Sequence, residues 1–241
     1  MRLRHLFWLV PLAALAGCVL VLAAGWVTVP RHYNPFAPLD VRDPPTLATG
    51  FKLLRTDRDI DFCRAALATS GLSWTPVEDV DHGGGCGLSG AVRITAGATR
   101  LNGSFLASCP LAVGWAMFER HSLQPLAQDH FGAAVTGVTH FGSYACRNVR
   151  GSSGPSARRS EHATAEALDI AGFTLAGGRE IRLARDWAPR NIDGEVSAEA
   201  AFLRAVRDGA CDFFGNVLGP DYNAAHRDHF HFGMRRFGLC R

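Results

Sequence analysis

Three histidines fall within six residues near the C-terminus: His226, His229 and His231. On a β-strand, residues two apart project from one face. His229 and His231 are therefore expected to point together, with Phe230 and Phe232 turned to the core. The plain alternative is that these histidines are polar residues on a solvated face. Histidine is a poor choice for such a face, however, and is the commonest metal ligand. A second cluster lies upstream, in Ser160-Glu161-His162 followed by Asp169. Two histidines and one carboxylate, with a further position open to water, are usual ligands of a catalytic zinc. Nitrogen donors with one hard oxygen suit Zn2+ better than Mg2+ or Ca2+. The chemistry expected of such a set is metal-assisted hydrolysis.

The spacing Ser160-x-His162-x-x-Ala165-x-Ala167-x-Asp169 resembles the S-x-H-x-x-G-x-A-x-D motif of D-Ala-D-Ala peptidases. That superfamily also groups lysostaphin-type enzymes and hedgehog. His226-x-x-His229-x-His231 resembles the H-x-x-H-x-H motif of its murein endopeptidases. From about Phe51 to Cys240 the chain resembles the bacterial extensin-like C-terminal family, notably in 143–147, 160–163, 169–173 and 218–223. The Ser-Pro repeats of plant extensins are absent. The resemblance implies an α+β, hedgehog/D-Ala-D-Ala-peptidase-like single domain with a central antiparallel sheet. It implies zinc as cofactor and peptidoglycan peptides as substrate, cut at a cross-link or trimmed in a stem peptide.

Carried onto this chain, the implied zinc ligands are His162, Asp169 and His231. His229 would lie beside the metal and stabilise an oxyanion or assist proton transfer. Arg147 falls where the D-Ala-D-Ala peptidases anchor substrate, and a guanidinium fork can hold a carboxylate bidentately; a structural salt bridge is the other reading. Ser160 would hydrogen-bond substrate or orient a ligand, or be a plain loop residue. Two positions depart from the pattern. The motif's Gly is Ala165. The peptidases' general base, a Glu three residues before the last ligand, is Asp228, a shorter carboxylate. In an undistorted strand Asp228 points away from His229 and His231. His226 is the alternative base, and either residue could instead support a ligand. A binding module that retains zinc without turnover is the competing function, favoured by the missing Glu. A disulfide-held domain without metal is a third class.

These groups need elements to place them. Asp59–Ser70 reads as a helix with Phe62, Ala66 and Leu67 on one face and Gly71 as its stop. A second helix starts after Ser108, with Pro110 at its beginning and Leu111, Trp115 and Phe118 in the core. A third follows Ser197, with Phe202, Val206, Ala210 and Phe213 on its apolar face. Strands are predicted over Ala91–Thr95, Ala134–Phe141, Ala167–Phe173, Glu180–Leu183 and Asp228–Met234, with a Gly177-Gly178 turn. His82–Gly85 reads as a turn and Arg150–Arg159, rich in Gly, Ser and Pro, as a loop. Helices mixed with antiparallel hairpins indicate α+β.

The chain has 241 residues and a formal net charge of +3, from 25 Lys+Arg against 22 Asp+Glu. That length suits one domain with an appendage, or two small domains. The charge is too small for a nucleic-acid groove. Met1–His5 carries Arg2 and Arg4, and residues 6–30 carry no charge. A helix of that length reaches roughly 37 Å, enough for a bilayer core of about 30 Å. The basic start predicts a single-pass signal anchor with the remainder outside; the resemblance to a bacterial family implies the inner membrane and the periplasm. Leu15-Ala16-Gly17-Cys18 also fits a lipobox, which makes a lipoprotein the alternative. Residues 31–50 contain Pro35, Pro38, Pro44 and Pro45 and read as a linker before a domain over 51–241. Beyond Cys18 stand Cys63, Cys86, Cys109, Cys146, Cys211 and Cys240, an even number that suits disulfides in an oxidising compartment. Spacing suggests the pairs Cys63–Cys86, Cys109–Cys146 and Cys211–Cys240.

Overall fold

The structure, a computed structural model, describes residues 10–17, 20, 28–151, 154–188, 196–235 and 238–241. Cys18 and most of the expected span lie outside these residues. Among the described residues no helix is long and apolar enough to cross a membrane.

The stretch expected as a linker is packed onto the domain. Leu39 and Val41 are buried in its core. Lys52, the lone lysine, is also buried, and its ammonium donates to Arg31 O at 2.7 Å. Helix α1, Leu47–Thr56, begins before the expected boundary at Phe51. Thr46 caps it: Ala48 N donates to its Oγ1, and Thr46 N donates to Thr49 Oγ1. A short capped helix directly after two prolines leaves little periodicity to read, because proline disfavours helix in the residue before it.

Helix α2, Ile60–Leu67, is capped by Asp59, whose carboxylate accepts from Phe62 N. Three strands follow: β1, Ser73–Pro76, β2, Val80–Gly83, and β3, Cys86–Leu88. Then come β4, Val92–Ala96, β5, Arg100–Leu101, and β6, Phe105–Ala107. β1, β4 and β6 form one antiparallel sheet, and β2 and β3 a hairpin. Helix α3, Cys109–Phe118, starts at its Ser108 cap with Pro110 in the first turn, as expected. It is apolar on all sides, as a helix enclosed by a core must be. A π-helical turn, Glu119–Leu123, carries it into α4, Gln124–Phe131, which Gly132 closes at φ +61°.

The remaining strands are β7, Val135–Gly142, β8, Asn148–Gly151, β9, Gly154–Arg159, β10, Ala167–Leu175, and β11, Glu180–Arg182. Two helices follow, α5, Leu183–Asp186, and α6, Ala198–Ala210. The last strands are β12, Asn216–Leu218, β13, Phe230–Gly233, and β14, Leu239–Cys240. A seven-stranded sheet runs β14-β12-β13-β10-β7-β5, with β11 also on β10. Its central pairs are antiparallel; β12–β14 and β5–β7 are parallel. The α+β class thus holds. The segment expected as a loop over Arg150–Arg159 instead contributes to the β8–β9 hairpin. Backbone pairing needs no apolar side chains, so Gly and Ser carry a ribbon that composition does not announce.

The main core lies between this sheet and α3. Phe230 and Phe232 of β13 and Leu168 and Ile170 of β10 face it. The Phe232 ring stands 5.3 Å from Phe118 and 4.9 Å from Phe214. Two expected disulfide pairs are corrected. The bonds are Cys63–Cys109, Cys86–Cys146 and Cys211–Cys240, so only the last agrees. Cys63 is drawn to Cys109 because α2 packs on α3, whereas Cys86 faces the segment leading from β7 to β8.

Candidate metal centre

Two neighbouring strands and one turn build the centre. Asp169 of β10 stands directly opposite His231 of β13. In β10, Ile170 faces His140 and Gly172 faces Thr139, so Ala171 is an extra residue. The bulge resets the alternation: Leu168 and Ile170 face the core before it, Phe173 and Leu175 after it. Asp169 falls on the face away from the core. In β13 Phe230 and Phe232 take the core face, which leaves His231 beside Asp169.

His162 comes from the turn before β10. The residues Glu161–Thr164 form a single 3-10 turn. Ser160 caps it, buried, with Oγ accepting from His162 N at 3.4 Å. This engages one acceptor position of Ser160 with the turn. The turn ends on Ala165 at φ +52°, in the left-handed region. Glycine takes that conformation without cost, whereas an L residue bears roughly 1–2 kcal/mol of strain.

The three side chains converge. His162 Nε2 is 3.2 Å from Asp169 Oδ2 and 3.2 Å from His231 Nδ1. His231 Nδ1 is 3.0 Å from Asp169 Oδ1. His162, Asp169 and His231 could together hold a metal ion, one donor atom from each. Both far ring nitrogens are also engaged. His162 Nδ1 donates to Ser143 O at 2.8 Å, and His231 Nε2 donates to Glu161 Oε2 at 3.2 Å. A carbonyl and a carboxylate only accept, so each outer nitrogen carries a hydrogen, and an inner nitrogen that gives up its own proton can ligate.

A family model described as Extensin-like protein C-terminus matches residues 61–241, three quarters of the chain. The chain belongs to that family. No curated protein and no solved structure matches it. The extensin-like region contains the whole centre and every disulfide, while α1 and the segment strapped beneath it precede the match.

The other predicted residues of the extensin-like domain gather around the same face. His229 Nε2 is 3.8 Å from Asp169 Oδ1, and its Nδ1 is 2.9 Å from Asp228 Oδ1. Asp228 and His229 precede β13, which begins at Phe230, so strand alternation does not govern Asp228. Its Oδ1 meets His229 Nδ1, on the ring edge away from Asp169. His226 follows on a short 3-10 turn, its Nδ1 donating to Asn223 Oδ1 at 2.8 Å. The His226 ring lies 5.3 Å from that of His229 and 5.9 Å from that of His231. Two exposed aromatics, Phe141 and Tyr222, flank His229 and His226. Arg147 Nη1 reaches Asn148 O at 3.5 Å, and no carboxylate pairs with it among the described residues.

The electrostatics are those of a buried cluster of ionisable groups. Burial pushes the Asp169 carboxyl up, but hydrogen bonds from His162 and His231 outweigh it and hold it well below the usual range. Burial pushes His231 down, yet its bonds to Asp169 and Glu161 raise it to about 9. Burial, then the positive potential of His231 and His229, lowers His226 to about 4. This favours the neutral ring at pH 7, with no hydrogen-bond partner on Nε2 among the described residues. Glu161 has no role predicted from the sequence. It is buried, and despite that burial its hydrogen bond with His231 leads the effects that keep it below the usual range. Its position beside a candidate ligand was the one local signal; its partners lie far along the chain.

Proposed function

We propose that this domain is a zinc-dependent peptidase of the cell wall, hydrolysing peptide bonds in the stem peptides or cross-links of peptidoglycan. The observation that carries the reading is the convergence of His162 Nε2, Asp169 and His231 Nδ1 at 3.0–3.2 Å, with both outer nitrogens held. Donors around a tetrahedral zinc at about 2.0–2.1 Å lie about 3.3 Å apart. The spacing here fits, and the donor set of two imidazoles and a carboxylate fits as well. The motif resemblance to D-Ala-D-Ala peptidases and murein endopeptidases supports the substrate class and a fold related to theirs.

Zinc, when bound, supplies a Lewis acid for a scissile carbonyl and lowers the pKa of water from about 15.7 to about 7. The chain's own groups do the rest. His162, Asp169 and His231 hold the ion. Arg147, which has no carboxylate partner among the described residues, binds a carboxylate of the peptide. His226, neutral through burial, accepts the proton of the attacking water at Nε2. His229, fixed by Asp228, turns Nε2 to the centre and donates to the oxyanion as it develops. The three disulfides support action outside the cytoplasm, where thiols are oxidised. The charge-free run over 6–30 supports attachment to the inner membrane, by a span or through a lipid on Cys18.

The test is digestion of purified murein sacculi with and without a chelator, followed by analysis of the released fragments. New peptide ends that vanish with chelator and return with zinc are expected. His162→Ala and His231→Ala should each abolish zinc binding, measured by metal analysis. Stoichiometric zinc in both variants would sink the assignment. A second reading, a binding module without turnover, is favoured by one observation: the Asp228 carboxylate is occupied with His229 Nδ1 at 2.9 Å. Zinc-loaded protein that sediments with sacculi but releases nothing would decide for it.

A further inference from the structure

His162 and Asp169 reach the centre from a capped turn and a doubly paired strand. His231, like His162 whose Nδ1 is held by Ser143 O, has one freedom left. Its backbone is fixed by β13, but an imidazole can turn either ring nitrogen inward. Glu161 decides which. Its Oε2 lies 3.2 Å from His231 Nε2, which leaves Nδ1 facing Asp169 and His162. We propose that Glu161 is a positioning residue of the metal centre: it selects the nitrogen through which His231 ligates, and its charge tightens the site for a dication. This rests on the metal-binding part of the proposed function and not on turnover.

The carboxylate is built into the fold. It is 5% exposed, and three donors from distant positions fix it: His231 Nε2, Asn216 Nδ2 at 2.9 Å and Arg235 N at 2.7 Å. Asn216 opens β12, and Arg235 follows β13. Gly233, paired with both Asn216 and Ala167, leaves the room; a Cβ there would run into the Glu161 carboxylate. No Lys or Arg side chain pairs with Glu161 among the described residues. A buried carboxylate without a cation is costly. The compensating positive charge must therefore arrive through His231. Asp169 and Glu161 together contribute two negative charges, which a dication balances.

Zinc affinity of the full-length protein is measured by competition with a chromophoric chelator, for wild type, Glu161→Gln and Asn216→Ala. Glu161→Gln keeps the shape but not the charge, and an affinity loss of about 10–100-fold is expected. Asn216→Ala, which removes one of the three donors, should lose less. Circular dichroism and melting of the metal-free forms check that each variant folds. A variant-free readout accompanies them: 15N shifts of the His231 ring in the zinc-loaded wild type, expected to show Nδ1 ligated and Nε2 protonated. Ligation through Nε2, or a folded Glu161→Gln with unchanged affinity, overturns the inference. A wild type that binds no zinc overturns the metal reading and this inference with it. Zinc binding without peptidase activity leaves the inference standing and removes only the catalytic proposal.

Discussion

A histidine that donates from both ring nitrogens to carboxylates carries a proton that a cation can replace. His231 is in that position between Asp169 and Glu161, which bring it up to about 9 in the metal-free protein despite burial. Binding an ion below that pH must expel the proton. The sign follows: zinc affinity rises with pH, by about tenfold per unit, and levels off above about 9. Competition measurements from pH 6 to pH 8 check it, and a flat profile would count against His231 as a ligand. The same raised value means that the metal-free fold holds this contribution below about 6.5 and loses it as pH rises through about 9. His162, Asp169 and His231 were legible because residue type and spacing mark them within two short stretches. Glu161 was not, although it adjoins His162. Its function depends on Asn216 and Arg235, more than fifty residues further on, and on burial that composition does not express.

At the scale of elements, the centre depends on two strands whose opposite faces do different work. β13 gives Phe230 and Phe232 to the core and His231 to the site. β10 manages the same division only by inserting Ala171, which separates its site-facing half from the half that packs with β11. Phe232→Ala should remove the ring between Phe118 and Phe214 and cost about 3–5 kcal/mol, read from denaturant melts. A loss below about 1 kcal/mol would mean that β13 is not anchored as described. Alternation revealed β13, and apolar spacing with caps revealed α2, α3 and α6. The β8–β9 hairpin was hidden because its sequence, rich in Gly, Ser and Arg, carries no apolar alternation to read, and α1 because prolines precede it. The Ala171 bulge was hidden too, since one inserted residue leaves no mark in a run of apolar side chains.

Across the whole molecule, the disulfides do not follow the order of the chain. Sequence spacing favoured neighbours, but packing of α2 on α3 sets Cys63 against Cys109, while Cys86 waits for Cys146. Only Cys211–Cys240 joins consecutive cysteines. Each interlaced bond should stabilise the fold by about 2–4 kcal/mol. Cys86→Ser with Cys146→Ser is expected to lower stability by that amount, read from denaturant melts of the purified variant; unchanged stability would show that the bond is not formed.

This interlacing has a consequence for biogenesis. A chain threaded through a membrane from its N-terminus presents Cys63 and Cys86 to an oxidant before Cys109 has emerged. The first bond made in order of arrival is then a wrong one, and a second follows from Cys109 and Cys146. Reaching the native pairs requires thiolate attack on those early bonds and their exchange. Folding after the proposed export should therefore depend on a disulfide isomerase and not on an oxidant alone. Cells lacking the isomerase should accumulate protein with Cys63 joined to Cys86, while the Cys211–Cys240 bond forms as usual; peptide mapping under non-reducing conditions would reveal both.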